Sequence, residues 1–427
     1  MIAPLEFLFG LERLGTKLGL ESMTRLCDAL GHPEHRFRSV IVAGTNGKGS
    51  VTAMLASILH AGGHAAARYT SPHLERLEER FVIGEEEVDR EALVSAAGLV
   101  QRAVDGLIRT RGLDVPPTFF EGATAIAFEL FARAAVDLAV LEVGLGGRLD
   151  ATNVVTPVAA AVTSVDLDHQ AQLGTTIEAI AREKAGVIRG GIPVVCGRLP
   201  EEADRVIEST CAERGARLVR AADAAWWSCR IDEESTALSI STGRHHLPDV
   251  QLALRGRHQA DNAAVAVCLA EELARAGVAL DESAIEGGLT RARWPGRLER
   301  FTWQGADVLI DAAHNPAGAR VLADYVREIG WRGATLVAGV VRDKDAGRML
   351  EALAPVCGAV ICTTPANPRG LPADELAVLA AAGRFAPGTV EVIAEPEAAL
   401  RSACRPGARV ICAGSIFLIG PLRGILR

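Results

Sequence analysis

Short β-branched runs alternate with helix-length stretches along this chain, and that alternation leaves few folds open. Strands buried on both faces read as unbroken apolar runs, and strands joined through helices pair in parallel. "SVIVAG" (39–44), "DLAVLEVG" (137–144), "VAAAVTSV" (158–165) and "IPVVCG" (192–197) are runs of this kind. Helical segments lie between them, such as "VTAMLASILHAGG" after the first run and "TTIEAIAREKAGVI" at 175–188. Residues 217–254 read as short antiparallel strands, a small extra sheet on the same domain. Pro295 and Gly296 in "RARWPGRLERF" (291–301) then interrupt the pattern. Beyond them it restarts with "ADVLIDAAHNP", "ATLVAGVV", "GAVICTT", "VEVIAE" and "ARVICAGS". The expectation is an α/β chain with a larger domain at 1–294 and a smaller one at 295–427.

Composition narrows the function. A length of 427 residues suits two or three domains, and the net charge of −8 argues against a general nucleic-acid partner. Asp137 and Glu142 break the best candidate for a membrane span, "AVDLAVLEVGLGG". The opening "MIAPLEFLFGLERLG" carries Glu6 within its apolar part and no basic segment, so no signal peptide is expected. The nine cysteines form no C-x-x-C pair and no zinc spacing. Cys196, Cys362 and Cys412 fall in strand-like runs, which predicts buried structural thiols in a reducing cytoplasm. "EEE" at 85–87 reads as a solvated turn, and Trp226-Trp227 as packing or a surface patch.

Chemistry concentrates where strands feed helices. "AGTNGKGSV" joins the first strand to a helix, where unpaired backbone N–H groups and the helix dipole favour an anion. Its glycines permit close approach of the backbone to phosphate, Lys48 supplies a cation, and Ser50 can cap, bond phosphate or ligate Mg²⁺. A plain capped turn is the bland alternative. In "YTSPHLERLEER" (69–80), Ser71-Pro72 suits a turn or helix start, and because it follows the second strand Ser71 is expected beside the glycine loop. Glu142 closes a strand too apolar for a free carboxylate, so it must be neutralised, hydrogen-bonded, bound to Mg²⁺ or paired with Arg148. Asp166, Asp168 and His169 follow another strand; Lys184, on a helix with small neighbours, is expected by pattern alone to pair with Glu183 or Asp168. Asn262 reads as a helix cap or an adenine ligand, and Asp311 as a ribose ligand or the cap of the next helix. Asp343, Lys344 and Asp345 read as a solvated turn or a zwitterion site.

Taken in order, "IVAGTNGKGS", "TSPHL", "TFFEGATAIAF", "EVGLGGRLDATN", "LGTTIEAIAREKAGVI", "GRHQADNA", "PGRLE" and "DAAHNP" resemble the folylpolyglutamate and dihydrofolate synthase family of the Mur ligase superfamily. The likeness runs from about Leu18 to the C-terminus. It implies a P-loop-containing Mur-ligase-type N-terminal domain and a Rossmann-like C-terminal domain. It implies that Gly47, Lys48, Gly49 and Ser50 cradle ATP phosphates, that Ser71, Glu142 and His169 position Mg²⁺, and that Asn262, Arg297, Asp311 and His314 bind the nucleotide. Lys48, His169 and a carbamylated Lys184 serving a second Mg²⁺ would carry catalysis. Leu18, Gly19 and Leu20, Thr118, Phe119, Phe120 and Glu121, and Leu149, Asp150 and Ala151 would line the pterin side; residues 343–345 would face glutamate. Ala312 stands where relatives often carry glycine, and "GSIFLIGPLR" is a looser match.

The implied reaction is ATP-dependent addition of L-glutamate to 7,8-dihydropteroate and reduced folates, through an acyl phosphate, by a cytoplasmic monomer. A single-activity enzyme of the family is the nearest rival. A ligase of murein precursors would leave the pterin-side motifs unexplained, and a non-catalytic ATP-binding partner protein would not need Lys48, Glu142, His169 and Lys184.

Overall fold

The computed structural model describes residues 3–15, 19–383, 385–386 and 388–427. Eight strands form the first sheet: β1 (Arg38–Ala43), β2 (Ala66–Tyr69), β3 (Phe81–Ile83), β4 (Glu86–Glu87), β5 (Leu138–Glu142), β6 (Ala159–Val162), β7 (Pro193–Cys196) and β8 (Arg217–Arg220). Their order is β4-β3-β2-β5-β1-β6-β7-β8. From β2 to β8 all neighbours are parallel, and β3 and β4 are antiparallel additions at one edge. Helices cover both faces, which is why Val40, Ile41 and Val42 of central β1 are completely buried and its sequence is an unbroken apolar run. One face packs against Phe128, Phe131, Leu93 and Val100, and the other against Ile180, Val187 and Ile207. After β1 the chain crosses toward β2, whereas after β6 it runs the other way to β7. Neighbouring strands that diverge in this manner open a crevice at their carboxyl ends, where ligands of α/β sheets gather.

Two readings of the sequence need correction. Residues 217–220 do not belong to a separate antiparallel sheet, because β8 pairs in parallel with β7. Glu86 and Glu87 are exposed, but they pair as β4 with β3 instead of forming only a turn. A separate three-stranded sheet, ordered β11-β10-β9, is made by β9 (Ala225–Ile231), β10 (Thr236–Thr242) and β11 (His246–Gln251). Trp226 on β9 is exposed.

The remaining strands are β12 (Glu299–Trp303), β13 (Ala306–Asp311), β14 (Ala334–Ala338), β15 (Cys357–Cys362), β16 (Val390–Val392) and β17 (Arg409–Ala413). They form a sheet ordered β12-β13-β17-β14-β15-β16, parallel except for β12. Trp331, Leu336, Val360 and Ile411 centre its core. By compactness the chain divides into Met1–Ser228 with Leu238–Val250 and Ala260–Ala292, and a second unit of Cys229–Ala237, Gln251–Gln259 and Arg293–Arg427. No described helix is long and apolar enough to cross a membrane. All nine cysteines are free thiols, and burial pushes Cys196 and Cys362 up to about 12.

Candidate active site

Four residues connect β1 to the helix Lys48–Ala61, and glycine is required at both ends of that loop. A Cβ on Gly44 would stand 2.0 Å from Thr163 Oγ1, and Gly44 has φ 151°. Gly47 is the N-cap with φ 84°, and a Cβ there would stand 2.4 Å from Asn262 Oδ1. The segment after β6 holds the loop. Thr163 Oγ1 donates to the Asn46 carbonyl at 2.6 Å, Ser164 Oγ donates to the same carbonyl at 3.0 Å, and Thr45 N–H donates to the Ser164 carbonyl at 2.8 Å. The first intrahelical bond runs from Val51 N–H to the Gly47 carbonyl, so the amides of Lys48, Gly49 and Ser50 precede the helical ladder and present positive partial charge. Lys48 Nζ folds back, donating to the Gly44 and Thr45 carbonyls at 3.0 and 3.1 Å. Ser50 is buried within the helix, and the cap position belongs to Gly47.

Glu142 ends β5 in register with Val42 of β1, which brings its carboxylate to the same edge as the glycine loop. It is 4% exposed, and its Oε2 accepts the Ser71 N–H at 3.1 Å. Two guanidinium groups, half-buried Arg68 and buried Arg80, feel this charge. Burial lowers Arg68 to about 10 against the pull of Glu87 and Glu142, and burial also lowers Arg80 against Tyr69 and Glu142. Arg148 is not the partner of Glu142; it pairs with Glu183 at 2.9 Å. Ser71 is separated from the glycine loop by β5, since β2 neighbours β5 and not β1. No helix starts at Ser71-Pro72, a cis peptide; the chain bends until the 3₁₀ turn Leu77–Arg80. Arg80 Nε donates to His73 Nδ1 at 2.8 Å, and burial lowers His73 to about 4, which keeps it a neutral acceptor.

Lys184 lies on the helix Ile177–Ala185 and is 3% exposed. It forms no pair with Glu183, whose carboxylate goes to Arg148. Burial first, then the charge of Lys48, lowers its amine from 10.5 to about 7, against Asp168 and Asp150. Near neutral pH about half of such an amine is uncharged and nucleophilic. His169 has φ 50°, donates its N–H to Asp168 Oδ1 at 2.8 Å, and keeps an exposed ring.

The pterin-side candidates come together only in part. Thr118 and Glu121 close a capping box on the helix Phe119–Arg133, with Glu121 Oε2 2.7 Å from Thr118 N, while buried Glu121 Oε1 has no hydrogen-bond partner. Phe120 packs on Tyr69 at 5.9 Å and crowds Gly144, where a Cβ would stand 2.5 Å from its ring. Phe119 stacks on Phe9 at 5.9 Å, under the Arg80 guanidinium. Buried Asp150 accepts from Leu145 N, Thr152 N and Thr152 Oγ1, and so shapes the loop carrying half-buried Leu149 and buried Ala151. Gly19, with φ 149°, and Leu20 precede the helix Glu21–Ala29; Leu18 lies outside the described residues.

Asn262 is not a cap. It stands in the second turn of the helix Arg257–Arg275, with its amide against Gly47. In the second unit, Asp311 ends β13, and its carboxylate accepts Leu298 N–H at 2.9 Å and Ala313 N–H at 2.8 Å. Burial raises its pKa, and Arg297 opposes the rise. The following helix, Pro316–Glu328, is capped by Asn315, so Asp311 is not its cap. His314 Nδ1 lies 3.0 Å from the Ala312 carbonyl. Asp345 caps the helix Ala346–Leu353, and Asp343 pairs with Arg369 at 3.3 Å on either side of Lys344. Sequence reasoning missed Thr163, Ser164, Arg68, Arg80 and His73. A Thr-Ser pair just past a strand and an arginine inside a four-residue apolar strand were the available signals.

Comparison with known proteins adds an independent finding. The Mur ligase middle domain matches residues 98–270, and the Mur ligase, glutamate ligase domain matches residues 296–416. Folylpolyglutamate synthase of Lacticaseibacillus casei is 35% identical over 411 residues, covering 94% of this chain and 92% of that protein. Dihydrofolate synthase/folylpolyglutamate synthase of Bacillus subtilis is 35% identical over 378 residues, covering 87% and 86%. The chain spans only 42% and 50% of two longer relatives from Haloferax volcanii and Halobacterium salinarum, each named "Probable bifunctional folylpolyglutamate synthase/dihydropteroate synthase". The solved structure of Mycobacterium tuberculosis folylpolyglutamate synthase complexed with ADP superimposes with a TM-score of 0.91 at 32% identity, covering 99% of this chain and 98% of that one. The chain therefore belongs to the folylpolyglutamate and dihydrofolate synthase family of the Mur ligases.

Proposed function

We propose that this chain is an ATP-dependent amide ligase that adds L-glutamate to 7,8-dihydropteroate and to reduced folates. The carrying observation is the carboxyl edge of the first sheet, where the Lys48 loop, Glu142 and the Thr163–His169 segment end neighbouring strands. A carboxylate resists amines because oxide is a poor leaving group. Phosphorylation by ATP converts the oxide to phosphate, after which the glutamate α-amine attacks the acyl carbon and phosphate departs. Phosphoryl transfer of this kind depends on positioning and charge stabilisation. Here the Lys48 ammonium and the amides of residues 48–50 at the helix start would meet the ATP phosphates, exchanging the loop carbonyls that Lys48 Nζ now holds.

The donor set suits Mg²⁺. Glu142 is a buried carboxylate, Ser71 offers a hydroxyl beside it, and His169 has an exposed imidazole; oxygen-rich sites with water completing the shell are what this ion takes. Charge neutralisation on the phosphates would come from the bound ion. Lys184 is suited to carbamylation: its uncharged Nζ adds to the carbon of CO₂, loses a proton and becomes an anionic carbamate, a further oxygen donor for a second Mg²⁺. Asn262 is the first unit's further candidate for the nucleotide, and Arg297, Asp311 and His314 are the second unit's; residues 19–20, 118–121 and 149–151 would serve the pterin side and 343–345 the glutamate side. We take the enzyme to be a monomer, and its nine free thiols suit the cytoplasm.

A single-activity enzyme is the second reading, because the Lacticaseibacillus casei relative, as similar as the Bacillus subtilis one, bears a single-activity name. The test is phosphate release from ATP with Mg²⁺ and L-glutamate, comparing 7,8-dihydropteroate with tetrahydrofolate. Release with both is expected, and Lys48→Ala should lower it by about 10³-fold or more. Release with one acceptor selects the single-activity reading, whereas silence with both, or unchanged turnover in Lys48→Ala, overturns the proposal.

A further inference from the structure

We propose that the turn preceding β1 binds one zinc-class divalent cation through His32, Glu34 and His35. This inference is independent of the ligase reading. Among the described residues these side chains bring three potential ligand atoms within 4.8 Å of one another. Glu34 Oε1 lies 3.0 Å from His32 Nδ1 and 3.5 Å from His35 Nε2, and the two imidazoles stack with centroids 4.8 Å apart. Ligands at ~2.0–2.1 Å around tetrahedral zinc stand about 3.4 Å from each other, so small side-chain shifts close the set.

The second observation is the state of Glu34. Its residue is 6% exposed, and its Oε2 is buried with no partner stronger than the weakly donating Cys27 thiol. A carboxylate oxygen sealed in this way is costly, and a cation on the same carboxylate would offset that cost. Both histidines remain about half exposed, leaving a path from solvent. Asp28 Oδ1 lies 3.2 Å from His32 Nε2. That carboxylate can accept a hydrogen bond from Nε2–H and so fix the tautomer in which Nδ1 faces the metal; it is the usual outer partner of a metal-bound imidazole. Two imidazoles and one carboxylate favour zinc and other late first-row ions over Mg²⁺ or Ca²⁺. Three protein ligands leave a fourth position for water. Because the turn links the helix Glu21–Ala29 to β1, the bound ion would clasp the segment entering the central strand. No cysteine spacing announces this group; the pattern is H-x-E-H.

The test uses the tag-free full chain stripped of metal by chelation. Zn²⁺ is titrated against a chromophoric chelator in saturating Mg²⁺, and Co²⁺ is added in parallel to read coordination from its visible spectrum. The wild type should take one Zn²⁺ equivalent, which His32→Ala and His35→Ala each weaken by at least about 100-fold. His169→Ala should keep that equivalent. Both tested histidines are about half exposed and lie outside the ligase site, so the variants should stay folded without zinc and retain the wild type's phosphate release. Equal zinc binding by wild type and both variants would overturn the site, as would no Zn²⁺ binding by the wild type or loss of the equivalent in His169→Ala.

Discussion

Lys184 shows how one buried amine links stability to chemistry. Its folded pKa of about 7 lies below the 10.5 of the free side chain, because burial disfavours the charged form. The unfolded chain therefore binds more protons between those values, and stability rises with pH across that window. Below about pH 7 both states carry the proton, and the full penalty of roughly 5 kcal/mol (10.5 minus about 7, at about 1.4 kcal/mol each) is present. Lys184→Met keeps the volume and removes the charge. The variant should be more stable than the wild type at neutral pH yet fail in glutamate ligation. Urea unfolding in CO₂-free buffer at about pH 7 and about pH 8.5 checks the sign: the wild type should gain on the order of 1–2 kcal/mol more than the variant over that interval. Parallel pH responses would mean that Lys184 is not the group responsible.

The strand–loop–helix unit at β1 was legible because its signals are local. Glycines between an apolar strand and a helix mark the loop, and their need is met by side chains that would collide with any Cβ. Ser71 was misplaced for the opposite reason. Insertion of β5 between β1 and β2 is a property of sheet order that residues 66–72 do not encode. The sequence offers Arg148 as a partner of Glu142, and only the packing of Gly147 and Gly186 brings it to Glu183. The clip from β6 likewise joins residues more than a hundred positions apart: Thr163 Oγ1 reaches the Asn46 carbonyl. Thr163→Val preserves shape but loses the donor, which should cost about 1 kcal/mol in stability. If that bond sets the loop, KM for ATP should rise several-fold with little change in kcat, and Thr163→Ser should restore it. An unchanged KM in Thr163→Val would show that this bond does not set the loop.

At the scale of the molecule, periodicity reads contiguous stretches, but the second unit is not contiguous. Its two upstream segments are bound into it by named contacts. Glu233 pairs with Arg300 and Arg409 at 3.3 and 3.4 Å, Arg257 pairs with Glu328, and Ile231 packs against its apolar core. Partly exposed ion pairs contribute about 0–1 kcal/mol each, so they cannot be what makes these segments necessary. Apolar burial can be: a side chain such as Ile231 removed from water stabilises by roughly 1.5–3 kcal/mol when burial is complete. Two consequences separate the terms. Glu233→Ala in the full chain should lower stability by less than about 1 kcal/mol, whereas a fragment of residues 293–427, lacking both segments, should lose several times as much. Far-UV circular dichroism melting of both proteins measures this. A fragment that melts cooperatively at the temperature of the intact chain would show that β12 to β17 and their helices are sufficient, and that the upstream segments only decorate them.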